Sequence, residues 1–337
     1  MMRRFVYILL LFGFAATLPA QDTRYSASYL ELGIGARALG MGSAYVALSD
    51  DATGFYWNPA GMAFQSRIEV AAMHASLFND LERQNYLSFA VPIFGGATVS
   101  VGAIGLFIDD IGRRNSGSLD STSYSERMDN DNIQLKWNNG FFSSYEIAAF
   151  FTFAKYFRWN MDLGWQYFKV PIDIGLGLNF KYLTQKLDDK SGSGLGIDFG
   201  FIFRMPLNEV FQETFYGDLT FGINLQDIAG TSMTWDTDSK HKDKIDHNIK
   251  YGISYVQPLS FMDSQFTIAY DIDTKYKGAT HLGGEFLLKS MLAVRIGISA
   301  GRFTTGAGIY FWKFKFDYAY QGHDLGNTHR ISLLFGF

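Results

Sequence analysis

Apolar and polar residues alternate through most of the chain after residue 65. In the C-terminal segment, Ile331, Leu333, Phe335 and Phe337 share one face of an extended strand, and the intervening residues share the other. The same period of two recurs in the segments 172–182, 219–225, 249–255, 265–273 and 313–321. Soluble antiparallel sheets also alternate. The large apolar faces, the aromatic residues at strand ends and the terminal aromatic residue favour a transmembrane β-barrel instead.

Turn signals between the alternating segments predict about 14 antiparallel strands, and an even number is usual in bacterial barrels. The predicted strands span 66–78, 84–91, 97–108, 145–156, 172–187, 195–205, 217–227, 247–257, 264–274, 279–289, 291–300, 302–311, 313–322 and 328–337. With the C-terminus on the periplasmic side, the long polar connections all fall outside the cell, and this consistent sorting supports the even count. The predicted fold class is therefore all-β, a 14-stranded antiparallel transmembrane β-barrel.

Composition agrees with this fold and excludes several kinds of site. The chain has 35 Gly, 17% aromatic residues, 6 Pro and 18% charged residues, a balance typical of strands and tight turns. A net charge of -4 gives no electrostatic reason to expect nucleic acid as a partner. Cys is absent, which excludes a disulfide framework and thiolate metal sites. No cofactor and no metal are expected.

The N-terminal 20 residues predict a signal peptide. Arg3 and Arg4 precede the apolar stretch Phe5–Phe14, and Leu18–Ala20 offers a small-residue cleavage site before Gln21. The apolar stretch is too short for a membrane-spanning helix, and no run of about 18 apolar residues follows it. The chain is therefore expected in the bacterial outer membrane, in contact with outer-membrane lipid and assembled by the barrel insertion machinery.

The stretch 32–62 breaks the alternation and is rich in Gly and Ala. We expect residues 21–65 to form a compact hatch inside the barrel lumen, followed by a barrel over 66–337. Asn58 and Pro59 predict a helix start, because Asn is a strong N-cap and Pro is favoured at the first helical position.

Two acidic residues and the glycines near the start of this stretch could also belong to a functional site. Asp50 and Asp51 are expected to cap a short helix through Trp57, although a carboxylate pair can also serve acid–base catalysis or bind a cation. The stretch Gly33–Ala38 matches a dinucleotide-binding fingerprint but lacks the strand before it that such a site needs. Close backbone packing explains these glycines better.

Few residues elsewhere suggest chemistry. The six His residues are scattered, and no Ser, His and acid set indicates an enzyme. Lys313, Lys315 and Arg330 face the predicted lumen, where they either form compensating ion pairs or bind the polar head group of a ligand. The apolar residues in or beside the outer loops form either a capture patch or part of the outer aromatic girdle: Trp137, Phe141, Phe142 and Trp235.

The residues 35–47, 50–52 and 58–62 resemble the N-terminus of the PorV/PorQ family, which is related to FadL-like long-chain fatty acid transporters. In those transporters the segment is a hatch that plugs a 14-stranded barrel. The resemblance implies the same role for Asn58, Pro59 and Ala60, with Gly40 and Gly42 as packing positions. Asp50, Asp51 and Gly61 complete the predicted hatch residues.

The resemblance implies two functions. One is passive transport of a small hydrophobic molecule across the outer membrane, controlled by movement of the hatch. The other is an accessory role in type IX secretion, in which the barrel binds exported proteins that carry a C-terminal signal domain. The expected partner is accordingly either a hydrophobic small molecule or an exported protein.

Overall fold

A computed structural model of the chain describes residues 27–112, 140–165, 168–275, 279–322 and 326–337. The predicted signal peptide and Trp137 lie outside these ranges. Of the 16 strands in the described residues, β8 and β9 form a hairpin that pairs with β6, and the other 14 close an antiparallel barrel. The predicted fold class is confirmed.

The strands follow one another around the barrel in chain order. They are β1 (Glu69–Leu77), β2 (Glu82–Ile93), β3 (Ala97–Gly112), β4 (Phe141–Trp165), β5 (Phe168–Leu187), β6 (Lys190–Pro206), β7 (Asp218–Gln226), β8 (Thr231–Trp235), β9 (Lys242–Ile245), β10 (Asn248–Leu259), β11 (Ser264–Asp273), β12 (Ala279–Leu288), β13 (Leu292–Ser299), β14 (Arg302–Phe311), β15 (Phe314–Gln321) and β16 (Thr328–Gly336). The barrel closes where β1 pairs with β16, in a register that aligns Glu69 with Gly336. Closure leaves the barrel without a free sheet edge.

Two features of the strands differ from the predictions. β8 and β9 form a hairpin within the connection 228–246, which the sequence pattern assigned to a polar loop, and Leu195 on β6 aligns with Ser232 on β8. β4 and β5 continue as a pair to Trp165 and Phe168, well beyond the predicted strand ends. The alternation of apolar and polar residues continues through this extension, but the predicted strands end at residue 156 and begin at residue 172.

The helices are short. They are α1 (Ala36–Gly40), α2 (Gly54–Trp57), α3 (Leu207–Phe211) and the 3-10 helices Ser28–Glu31, Pro59–Phe64, Phe94–Gly96 and Phe261–Asp263. Across the described ranges, none of these helices has the length and apolar character needed to cross a membrane.

Burial along the strands is reversed relative to a soluble protein. On β13, Leu292, Val294, Ile296 and Ile298 point outward and are 47–64% exposed, whereas the inward Arg295 is 1% exposed. Apolar side chains therefore cover the outside of the barrel, and polar side chains line the inside. This arrangement is typical of a barrel that stands in lipid.

Candidate functional site

The N-terminal segment (residues 27–65) lies inside the barrel. Most of its side chains are buried, and Ile34, Tyr45, Phe55 and Met62 have no exposed surface. Short helices and turns leave many backbone groups of the segment without partners of their own, and such groups need partners when they are buried. Side chains on the inner face of the barrel provide many of these partners.

Amide side chains from the wall hydrogen bond to carbonyl groups of the segment. Asn179 Nδ2 on β5 donates to the Phe55 carbonyl at 2.6 Å, and Asn224 Nδ2 on β7 donates to the Trp57 carbonyl at 2.8 Å. Gln84 Nε2 on β2 donates to the Gly33 carbonyl at 3.1 Å in the same way. Wall strands far apart around the barrel therefore hold one continuous segment.

A wall carboxylate binds two consecutive backbone amides of the segment. Asp271 on β11 is 2% exposed. Its Oδ2 accepts hydrogen bonds from the backbone N–H of Tyr45 at 2.6 Å and of Val46 at 2.8 Å. The turn at these residues is thereby fixed to the wall.

Asn58 joins two parts of the segment to the wall. Its Oδ1 accepts from Ala60 N–H at 3.1 Å, and Pro59 occupies the first position of the 3-10 helix that follows. The predicted N-cap is therefore confirmed. Asn58 Nδ2 donates to the Val46 carbonyl at 2.9 Å and to the Phe201 carbonyl on β6 at 3.3 Å. One side chain thus satisfies groups on the segment and on the barrel.

Arg37 on α1 is the centre of a charged cluster. Its guanidinium binds both carboxylate oxygens of Glu285 on β12, at 3.1 Å and 3.0 Å. Nη1 donates to Tyr45 Oη at 2.8 Å and to Asp50 Oδ1 at 3.1 Å. Glu285 also binds Arg295 on β13, so the ion pairs continue into the wall.

Asp51 belongs to the same cluster and is not the cap of α2. Its Oδ1 accepts from the Thr53 amide at 2.9 Å, and the helix begins after Thr53 without a side-chain cap. Tyr45 Oη donates to Asp51 Oδ2 at 2.7 Å. Burial acts to raise the pKa of Asp51, but Arg37 and the hydrogen bonds from Thr53 and Tyr45 outweigh it and hold the pKa below 3.8. The predicted capping role of Asp50 is also wrong, since its side chain is 42% exposed and pairs with Arg37.

Glycines on the inner face of the wall let the segment approach the strands closely. A Cβ atom at Gly177 would lie 2.2 Å from the Pro59 carbonyl carbon, and one at Gly283 would lie 2.1 Å from the Met41 carbonyl oxygen. A similar conflict within 2.7 Å would arise at five other wall glycines with atoms of the segment: Gly102, Gly175, Gly200, Gly222 and Gly297. Any larger residue at these positions requires a shift of either the wall or the segment.

The predicted hatch glycines lie at close contacts. Gly40 packs against Gly306 on β14, where its Cβ position is 3.1 Å from the Gly306 Cα. Gly42 has a φ of +65°, and its Cβ position is 2.6 Å from the Ile298 backbone nitrogen. Gly61 packs against Ser49 within the segment. Gly42 and Gly61 leave no room for a side chain, whereas a methyl group at Gly40 would require a small shift of its neighbour.

A cavity of about 540 Å³ lies at the end of the barrel that carries the long connections. Ser43, Val46, Tyr56 and Trp57 of the N-terminal segment line it. Five further residues of the segment also line it: Ala27, Ser28, Leu30, Glu31 and Leu32. The other lining residues lie on the wall strands and their turns, and many of them are charged. Its lining therefore mixes aromatic rings, such as Tyr56 and Trp57, with ionic groups that come mostly from the wall.

The predicted lumen candidates lie at different levels of the barrel. Arg330 on β16 lines the cavity, and it aligns with Ala319 on β15. Lys315 precedes Ala319 by four residues on β15, which is roughly 14 Å along an antiparallel strand. The Lys315 Nζ lies 5.3 Å from the Tyr310 ring centroid. Lys313 lies in the turn before β15, against Trp312. The structure brings none of these cations together.

The outer-loop candidates lie on two elements. Phe141 and Phe142 begin β4, and Phe141 is 64% exposed. Trp235 ends β8, where its Nε1 donates to Asp243 at 2.7 Å. The capture patch stays a prediction. Among the described residues, which include the acidic and His residues near Trp235, no cluster of three metal-binding side chains occurs.

The residues that hold the segment were mostly not singled out from the sequence. Gln84, Asn179, Asn224 and Glu285 each contact the segment, yet they read as ordinary inward polar positions. One sequence feature could have indicated these contacts, namely the repeated amide and glycine residues at inward positions in the middle of strands. A water-filled lumen does not require glycine at such positions, whereas a backbone packed against the wall does.

The chain is similar to known proteins mainly in its fold. A model of a family described as "Uncharacterised protein family (UPF0164)" matches residues 15–98. No curated protein matches the chain. The Pseudomonas putida toluene transporter TodX is similar in structure, with a TM-score of 0.50, 9% identity and coverage of 90% of this chain and 98% of that chain.

Two other solved structures give similar values. The Ralstonia pickettii toluene transporter TbuX has a TM-score of 0.48 and 12% identity, over 90% of this chain and 98% of that chain. A Pseudomonas aeruginosa FadL homologue has a TM-score of 0.49 and 9% identity, over the same shares. The similarity to TodX shows that this chain shares the barrel fold of that transporter.

Proposed function

We propose that the chain is an outer-membrane barrel that passes small hydrophobic molecules passively, with the N-terminal segment acting as its hatch. The apolar outer face fits a lipid environment, and the barrel insertion machinery assembles such proteins. TodX and TbuX are described as toluene transporters, and the fold shared with TodX supports the same class of function. Toluene is accordingly the first probe, and no catalytic step is involved.

The observation that carries the proposal is the position of the cavity above the segment. Its entrance side is formed by the turns of the loop end, and Val46 and Trp57 of the segment lie at its boundary. The same two residues are held from the wall through Asp271 and Asn224. A molecule that enters the cavity therefore meets the segment, and its passage depends on movement of that segment.

The test uses cells, because the lipopolysaccharide of an outer membrane retards hydrophobic solutes that cross phospholipid freely. Cells that lack the protein and cells that produce the full chain are compared for initial uptake of radiolabelled toluene at limiting concentration. The proposal predicts faster uptake in the producing cells, with surface abundance of the barrel measured in parallel. Equal uptake at equal abundance contradicts it.

A type IX secretion accessory is the second candidate. The observation that favours it is the tight packing of the segment in the lumen, where glycines on strands around the barrel contact the segment closely. A barrel that never opens can still bind exported proteins through its outer loops. This candidate predicts that deletion of the gene leaves proteins with a C-terminal signal domain in the periplasm. Normal export in the deletion strain excludes it.

A further inference from the structure

Arg330 differs from the other fully buried basic side chains of the barrel. It is 2% exposed. Lys181 and Arg295 are buried to a similar extent, and each contacts two carboxylates within 2.8 Å. Within the described residues, no carboxylate forms an ion pair with Arg330. A buried charge without a counterion is unfavourable, so its position calls for a partner from outside the chain.

Neutral groups hold the Arg330 guanidinium in place. Nη1 donates to Gln321 Oε1 and to Thr328 Oγ1, both at 2.9 Å. Nη2 donates to the Leu32 carbonyl of the N-terminal segment at 3.3 Å. Nε is buried and has no hydrogen-bond partner among the described residues. The guanidinium is therefore oriented but keeps an unused donor and its full charge.

Charge is distributed unequally around the cavity that Arg330 lines. The described lining residues of β13 to β16 and their turns include no acid: Ser299, Ala300, Arg302, Gln321, Thr328 and Arg330. The acidic wall residues of the lining belong to β6, β7, β11 and the connection before β10: Asp198, Asp227, Asp246, Asp271 and Asp273. The lysines that line the cavity elsewhere are each paired with a carboxylate: Lys181 with Asp198 and Asp227, Lys250 with Asp273, and Lys275 with Glu31 of the segment. The side formed by β13 to β16 therefore carries positive charge with no acid among its described lining residues.

We propose that Arg330 anchors the carboxylate of a small organic anion in this cavity. A guanidinium presents parallel N–H donors that match a carboxylate, and charge-assisted hydrogen bonds of this kind are strong. The apolar body of the anion packs against Tyr56 and Trp57, which line the same cavity. The inference deepens the proposed function, on which it rests, by naming the class of molecule that enters.

The test compares two probes that share an aromatic ring and differ in charge. Binding of benzoate and of benzyl alcohol to the purified full chain in detergent is measured by titration calorimetry at neutral pH. The variants are Arg330→Gln and, as the matched control, Arg83→Gln, which removes an exposed guanidinium at the same end of the barrel. Thermal unfolding verifies the fold of each variant, and Arg330→Gln is expected to fold because it removes an unfavourable buried charge.

The expected result is that Arg330→Gln weakens benzoate binding about tenfold or more and leaves benzyl alcohol binding unchanged. Arg83→Gln changes neither. Absence of benzoate binding to the unaltered chain, or equal affinity in Arg330→Gln, overturns the inference. Displacement of benzoate by inorganic phosphate at equal concentration also overturns it, since the site then takes a free inorganic anion. Calorimetry needs no transport, so its outcome is independent of the toluene uptake experiment.

Discussion

Arg37 and Glu285, 248 residues apart in the chain, form a two-point ion pair between the N-terminal segment and the barrel wall. The Arg37 Nε and Nη2 atoms lie 3.1 Å and 3.0 Å from the two carboxylate oxygens of Glu285. Glu285 is 2% exposed, so the pair is shielded from water. The segment is therefore bonded to the wall by charge as well as by backbone packing.

Breaking this pair is expected to destabilise the protein. Glu285→Gln leaves Arg37 and Arg295 without their shared carboxylate, and removal of one partner from a buried ion pair costs about 3 kcal/mol. The measurement is urea unfolding in phospholipid vesicles, followed by tryptophan fluorescence. The control is Arg83→Gln at an exposed ion pair, for which a loss below about 1 kcal/mol is expected. Equal losses for the two variants contradict the account.

Two adjacent glycines on β12 test the contact between wall and segment. A Cβ at Gly283 would lie 2.1 Å from the Met41 carbonyl oxygen, whereas one at Gly284 would have its nearest neighbour at 3.8 Å. Gly283→Ala is expected to cost about 1–3 kcal/mol in unfolding free energy, because the segment must shift to accept the methyl group. Gly284→Ala is expected to stay within about 0.5 kcal/mol of the parent.

The same two variants are also compared by limited proteolysis, which reports on the segment itself. In the Gly283→Ala protein, cleavage within residues 27–65 should become faster while the strands stay resistant. Identical cleavage of the two variants would show that the wall does not constrain the segment at this position.

Acid is expected to loosen the segment through Asp51. The pKa of Asp51 is lower in the folded protein than in the unfolded chain, so its contribution to stability is fully present above the unfolded pKa and is lost as the pH falls through the folded pKa. Unfolding free energy is measured from about pH 6 to about pH 3. Asp51→Asn lowers stability at the upper end and reduces the loss on acidification. A pH profile of Asp51→Asn that parallels that of the unaltered chain is incompatible with this role.

Alternation was sufficient to predict the barrel strands, since lipid outside and polar groups inside impose opposite demands on successive residues. The β8–β9 hairpin was missed because its strands are short and lie in a charged connection. The extension of β4 lies within the same alternation, since Arg158 and Asp162 occupy every second position, and the sequence prediction ended that strand too early.

The contacts of the N-terminal segment were only partly predictable. Asn58 and Pro59 carry a local signal, because an N-cap acts on residues next to it in the chain. Arg37 and Glu285 meet through tertiary folding, which no local pattern reports. Asp51 illustrates the same limit. Its place in the sequence suggested a helix cap, but its carboxylate binds Thr53, Tyr45 and Arg37 instead.

Reversible locking of the segment to the wall tests the central claim most directly. The chain has no Cys, so Ala36→Cys combined with Ser332→Cys introduces one new pair where Ser332 Oγ accepts a hydrogen bond from the Ala36 amide at 3.1 Å. Toluene uptake is measured in cells that carry the double variant, before and after oxidation, with each single variant as control. The account predicts that oxidation blocks uptake and that a reductant restores it. Uptake that continues unchanged with the disulfide formed would contradict the claim that passage requires movement of the N-terminal segment.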